Sequence, residues 1–232
     1  MPLAERNNLV LDYLQPQDVE AVGSLFLSSF HVYPFFQKMM PDSLQTIRAW
    51  SAATNFAIDD PNTLCLKVTD TSTGTIAAHG RWIRPKGEGE RGQPGHEEER
   101  WGDTFMEACD EKLAGELFGA FDRNREKFIG QERHWYMELL LTHPDYQGKG
   151  CASMILRHGL ELADREQLPC YIDSSPMGKA VYEKMGWKLE HKEDFEHGLS
   201  YYFGVRQPQS ACSSGHVHES GSATKTQQHL LS

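Results

Sequence analysis

Cysteine is scarce in this 232-residue chain: five residues (Cys65, Cys109, Cys151, Cys170 and Cys212), odd in number and with no CxxC pair. That pattern gives neither a disulfide framework nor a thiolate zinc site, and no metal is expected. Positive charge is in deficit, with Lys+Arg 23 against Asp+Glu 33 and a formal net charge of -10. A nucleic-acid binder needs a basic face to neutralise phosphates, and adsorption on anionic lipid needs the same, so neither nucleic acid nor membrane is an expected partner. No window approaches the ~18 apolar residues of a spanning helix. The opening MPLAERNNLV runs directly into LDYLQPQD without a hydrophobic signal core. The expected setting is a reducing cytoplasm, with the nucleus as the second compartment. What the chain does have suffices for a core. It is 39% hydrophobic and 10% aromatic, at a length that suits one large domain.

Periodicity orders the chain. Leu9 to Leu14 reads as a strand, and Val19, Val22, Leu25, Phe26 and Phe30 recur with helical spacing. HVYPFFQKMMP, with two prolines, reads as an aromatic-rich connection, and a second helix starts at Asp42 or Ser43 and runs to about Asp59. Thr63 to Thr69 and Thr75 to Ile83 flank the turn Asp70-Thr71-Ser72-Thr73-Gly74 as a hairpin. KGEGERGQPGHEEER has no apolar residue and reads as a mobile loop, and Thr104 to Phe128 as an amphipathic helix. Then follow a buried strand over His134 to Thr142, a Gly-rich turn, a helix over Cys151 to Gln167, a strand over Pro169 to Ser174 and a short helix over Met177 to Met185. Trp187 to His191 and Leu199 to Val205 close the sheet. Strand–helix–strand implies a parallel crossover. From Gln207 the chain is Ser, Gln, His and Gly until Leu230, the composition of a disordered tail.

The strand–YQGKGCA–helix passage is where chemistry concentrates. Gly148 and Gly150 let backbone approach an anion, and a helix starting near Cys151 aims unpaired amides and a positive dipole end at the same point, a geometry that suits a pyrophosphate. It is neither GxxxxGK[ST] nor GxGxxG. It resembles the acyl-CoA signature Q/R-x-x-G-x-G/A of the GCN5-related N-acetyltransferase (GNAT) superfamily, which Gln147-Gly148-Lys149-Gly150-Cys151-Ala152 matches at each fixed position. ELLLTHPDYQ is similar to the strand that precedes this signature. Val181-Tyr182-Glu183-Lys184-Met185-Gly186-Trp187 resembles the aliphatic-Tyr-Glu-Lys-x-Gly-aromatic run after the crossover. The resemblance covers roughly Leu9 to Arg206, and the acidic insertion and the HWY pattern look like fungal members.

The resemblance implies an α/β fold of the GNAT type, with a mixed twisted sheet of about seven strands, flanking helices and splayed central parallel strands. The domain would span 8–206, with a family-variable insertion over 85–131 and a disordered tail over 207–232. It further implies acetyl-CoA as co-substrate and direct transfer of acetyl to a primary amine, most simply on a small molecule and secondarily on a protein, by a monomer or homodimer. Leu140, Leu141 and Thr142 would offer backbone to the pantetheine arm, Gln147 to Ala152 would cradle the pyrophosphate with Lys149 adding a contact, and Ser174 would stand where the family often has Asn. Tyr182 would protonate the departing thiolate.

The base that takes the ammonium proton is open. Glu138, a charged residue inside an apolar strand, is the first candidate, followed by His79 and His134. Tyr33, Phe35 and Phe36 would line the acceptor pocket. Cys151 at a helix start has the position of a nucleophile but no accompanying His–Asp pair, and in the family that position packs beside CoA. Glu97-Glu98-Glu99 reads as a solvated face, and His216 and His218 supply too few ligands for a metal. Two other readings of the chain are a non-catalytic acyl-CoA-binding regulatory module and a Cys151 thioesterase.

Overall fold

The computed structural model describes residues 2–87 and 105–209. Most of the Gly/Glu-rich loop, the expected helix start at Thr104, Glu97 to Glu99, and the tail from 210 onward, with His216 and His218, lie outside the described residues. The elements are β1 (Ala4–Arg6), β2 (Leu9–Tyr13), α1 (Val19–Phe30), α2 (Pro34–Met39), α3 (Leu44–Asp59), β3 (Thr63–Asp70) and β4 (Thr75–Ile83). They continue with α4 (Glu111–Phe128), β5 (Trp135–Thr142), α5 (Cys151–Glu166), β6 (Cys170–Ser174), α6 (Lys179–Lys184), β7 (Lys188–Asp194) and β8 (Ser200–Arg206).

The strands form one eight-stranded sheet in the order β1-β2-β3-β4-β5-β6-β8-β7. The expected crossover is present: β5, α5 and β6 form the parallel step, and the other ladders are antiparallel. Helices cover both faces. Phe26 of α1, Phe36 of α2, Trp50 of α3 and Leu117 of α4 share one core. Ile155 and Leu156 of α5 share the other with Trp82, Trp135 and Trp187.

Three elements differ from the sequence-based reading. β1 is an additional strand of exposed residues held by its ladder to β2 (Ala4 opposite Leu11), so it has no apolar alternation to betray it. HVYPFFQKMMP is not simply a connection, because Pro34 occupies the first turn of α2, where a missing N–H is harmless. Phe35, Phe36 and Met39 turn into the core from that helix. Ser43 caps α3 by accepting from the Thr46 amide at 3.1 Å. Asp110 does the same for α4 at Leu113, at 3.0 Å, so the helix expected over Thr104 to Phe128 is broken at 108–110 and restarts at Glu111.

The centre of the sheet is where the ladder fails. β5 and β6 pair only over Trp135–Met137 and Cys170–Ile172. On the other side of β5, Arg81 stands opposite Leu139 and Trp82 opposite Met137, so Glu138 is the extra residue of a bulge. Bulge and splay begin at the same point in the chain, and from Glu138 onward the β6-facing side of β5 has no strand partner.

Candidate active site

The described chain opens two adjoining cavities around the splay. The larger, of about 590 Å³, is bordered by Leu140 and Thr142 of β5, by Gln147, Gly148, Gly150, Cys151 and Ala152, and by Val181, Tyr182 and Met185 around α6. The smaller, of about 70 Å³, is bordered by Phe26, Phe30, Phe36, Phe118 and Phe121, with Glu138, Asp173 and Tyr201 on the same wall system. Phe30, Leu140, Ser175 and Tyr182 border both.

Local backbone makes the larger cavity a place for an anion. Gly150 sits at the cap of α5 with φ +91, a conformation that L side chains rarely adopt, and Gly148 has φ +75. The Gly150 carbonyl accepts the first helical bond from the Met154 amide at 3.1 Å. The amides of Cys151, Ala152 and Ser153 are therefore in the turn of α5 that has no intrahelical acceptor. They border the cavity at the positive end of a 16-residue helix. Two guanidinium-bearing residues that the sequence did not single out stand there as well, Arg6 of β1 and Arg157 of α5. A Cβ on Gly150 would lie 3.5 Å from an Arg6 terminal nitrogen. The donor set fits a diphosphate: main-chain amides, a helix terminus and two basic side chains.

The other sequence-predicted residues separate. Lys149 is exposed, with Nζ 4.6 Å from the Tyr146 ring centroid. Leu141 is fully buried in the core beneath the sheet and borders neither cavity. Ser174 is also fully buried, its hydroxyl donating to the Ser175 carbonyl at 2.9 Å, and Ser175 is the serine that reaches the cavities. Of the aromatic trio, Tyr33 borders the larger cavity and Phe36 the smaller, while Phe35 packs edge-on against Phe36 and Phe195. Cys151 is buried, and burial raises its thiol pKa.

Tyr182 stands between the cavities, with its ring 5.6 Å from that of Trp187 in an edge-on contact. Burial, and then the charge of Asp173, push its hydroxyl pKa up, which keeps the phenol protonated and able to donate. Glu138 carries its carboxylate 2.5 Å from Arg81 Nε, with both side chains almost wholly out of solvent. His79 is fully buried, its Nδ1 2.9 Å from the Leu66 carbonyl, and burial holds its pKa down at about 3. His134 lies 2.7 Å from the Glu132 carbonyl and is held down to about 4, again by burial.

Asp173 of β6 was missed. It is half-buried at the wall of the smaller cavity and accepts from Tyr136 Oη at 2.5 Å and Tyr171 Oη at 2.9 Å. Burial pushes its carboxyl up to about 7 against the pull of those hydrogen bonds. The signal was available: it is a charge inside the apolar strand PCYIDS, the same anomaly that points to Glu138.

Residues 95–202 match the model of the acetyltransferase (GNAT) domain. Over that stretch the chain is similar to GNAT acetyltransferases. Solved structures with the same fold extend the likeness along the chain. The histone acetyltransferase HPA2 and related acetyltransferase of Corynebacterium glutamicum aligns with a TM-score of 0.59 at 16% identity, covering 89% of this chain and 99% of that one. Arylalkylamine N-acetyltransferase 2 of Aedes aegypti aligns at 0.59 and 12%, covering 88% and 100%. The ribosomal-protein-S18-alanine N-acetyltransferase of Escherichia coli aligns at 0.50 and 10%, covering 90% and 99%. What the chain matches over residues 95–202 is an acetyltransferase domain, and GNAT acetyltransferases use acetyl-CoA. Among the described residues no helix is long and apolar enough to cross a membrane, and no group of three His, Cys, Asp or Glu is placed to hold a metal ion.

Proposed function

We propose that the protein, through a domain spanning 8–206, transfers the acetyl group of acetyl-CoA directly to a primary amine of a small molecule, with both substrates bound at once. The observation that carries this reading is the pair of cavities that share Phe30, Leu140, Ser175 and Tyr182. The larger has the volume, the amide cradle and the arginines for the co-substrate. The smaller has an apolar wall and carboxylates for an amine. The amine attacks the thioester carbonyl where they join, and Tyr182 gives its proton to the leaving sulfur. With Cys151 buried and its pKa raised, its thiol is disfavoured as the nucleophile of a covalent acetyl-enzyme.

Calorimetry is expected to show saturable acetyl-CoA binding that Gly150→Val abolishes, because valine cannot take the φ +91 backbone and would fill the cradle beside Arg6. Tyr182→Phe is expected to lower kcat by ~100-fold or more while leaving the acetyl-CoA Kd near its original value. Unchanged turnover in that variant removes Tyr182 from the reaction. Thiol release across an amine panel decides between catalysis and its alternative: binding with no release on any amine is the behaviour of a regulatory acyl-CoA-binding module.

A further inference from the structure

Building on the two-cavity reading, we propose that the acceptor is a primary amine on an apolar arm seated in the smaller cavity, and that Asp173 takes the proton its ammonium must lose. The walls set the arm. Phe26, Phe30, Phe36, Phe118 and Phe121 offer no hydrogen-bond partner, so a second ammonium on the acceptor would be stripped of water among phenyl rings. Carboxylate chemistry sets the base. Glu138 borders the same cavity, but its charge is already answered by Arg81. Asp173 accepts one hydrogen bond from each of two phenols and lies in the field of Arg125, which leaves it able to accept a proton. Asp173 and Tyr182 border the same cavity and sense each other's charge, which gives that cavity both a proton acceptor and a proton donor.

The step balances. The ammonium gives one proton to the Asp173 carboxylate, and the freed nitrogen lone pair forms the C–N bond. The tetrahedral intermediate collapses with cleavage of C–S. Tyr182 protonates the sulfur, and the second nitrogen proton returns to the Tyr182 oxygen. Asp173 releases its proton to water as product leaves, giving an amide, CoA thiol and one proton.

The groups facing Asp173 are Tyr136 of β5, Tyr171 of its own strand, Asp122 and Arg125 of α4, Tyr182 of α6 and Tyr201 of β8, with Glu138 on the shared cavity wall. Burial outweighs the cationic Arg125 and the two phenol hydrogen bonds, so the carboxylate is the active form only above about pH 7. The kcat/KM profile therefore rises through that region.

The test uses the full chain with n-butylamine, 2-phenylethylamine and spermidine. The apolar amines are expected to exceed spermidine in kcat/KM by ~10-fold or more, and the reverse order overturns the apolar arm. With the faster apolar amine, Asp173→Asn is expected to lower kcat/KM by ~100-fold or more and to erase the rising limb, with acetyl-CoA affinity retained. Tyr171→Phe, which removes one hydrogen bond to the carboxylate, is expected to move the limb to higher pH. A limb unchanged in both variants overturns the role of Asp173 while leaving acetyl transfer intact. Absence of thiol release on every amine would instead overturn the reading on which this inference rests.

Discussion

Glu138→Gln is expected to destabilise the fold by about 3–5 kcal/mol, the cost of leaving one charge of a buried pair without its partner. Its carboxylate and the Arg81 guanidinium meet at 2.5 Å with side chains 1% and 2% exposed. The bulge is what makes the pair: as the extra residue of β5, Glu138 lies off the ladder that joins Leu139 to Arg81. Glutamine keeps the shape and removes the charge, so the Arg81 cation stays desolvated between strands. Urea denaturation should show the loss as a lower midpoint with an unchanged slope. The double variant Arg81→Met, Glu138→Leu is expected to recover most of it, since apolar replacements of a buried pair are often neutral or stabilising. A Glu138→Gln protein within about 1 kcal/mol of the original would show that the pair is not desolvated as described. The same variant separates the two carboxylates of the smaller cavity. If Glu138 serves the sheet and Asp173 serves the reaction, Glu138→Gln keeps the rising pH limb that Asp173→Asn loses.

What the sequence made legible was local. Gln147 to Ala152 and the helix after it form one continuous stretch, so glycine placement, cap and apolar stripe could be read together. Tyr182 followed from a run equally compact. The alternation of TLCLKVT and TIAAHGRWI announced β3 and β4 with their turn. The parts that escaped are made by distant segments. Arg6 comes to the cradle because a short strand of exposed residues pairs along the edge of β2, and Arg157 because it falls on the cavity side of α5. Asp173 acquires its character from Tyr136, 37 positions earlier in the chain, and from α4 packed over it. Glu138 attracted notice as a charge in an apolar strand. Its partner Arg81 stands on a strand more than 50 positions earlier, joined by a bulge that no sequence period encodes. Phe35, Phe36 and Tyr33 show the same limit at short range. Their aromatic density was plain, but which ring faces which cavity depends on the short α2 that Pro34 starts.

Gly159→Ala is expected to lower stability by about 3 kcal/mol, against the usual direction for this exchange. Within a helix, alanine ordinarily gains roughly 1 kcal/mol over glycine. Here a Cβ at position 159 would fall 2.2 Å from Trp82 Cε2 and 2.5 Å from its Nε1, inside any tolerable contact. The indole cannot retreat. It is fully buried, stacked 6.2 Å from Trp187 and edge-on 6.4 Å from Trp135. The methyl must therefore push α5 away from β4 or force Trp82 out of its rotamer. A melting temperature lower by roughly 6–12 °C is the expected readout for a domain of this size. Trp82→Phe makes room, so the penalty for alanine should shrink in that background, a coupling that a double-mutant cycle measures directly. A rise in melting temperature for Gly159→Ala would mean that the helix is not seated against Trp82 as described. The consequence reaches the site, because α5 is also the element whose first turn is proposed to cradle the co-substrate. Lifting it from β4 moves the amides of Cys151, Ala152 and Ser153 relative to Leu140 and Thr142 across the splay. Gly159→Ala is therefore expected to weaken acetyl-CoA binding although residue 159 lies two turns from the cradle.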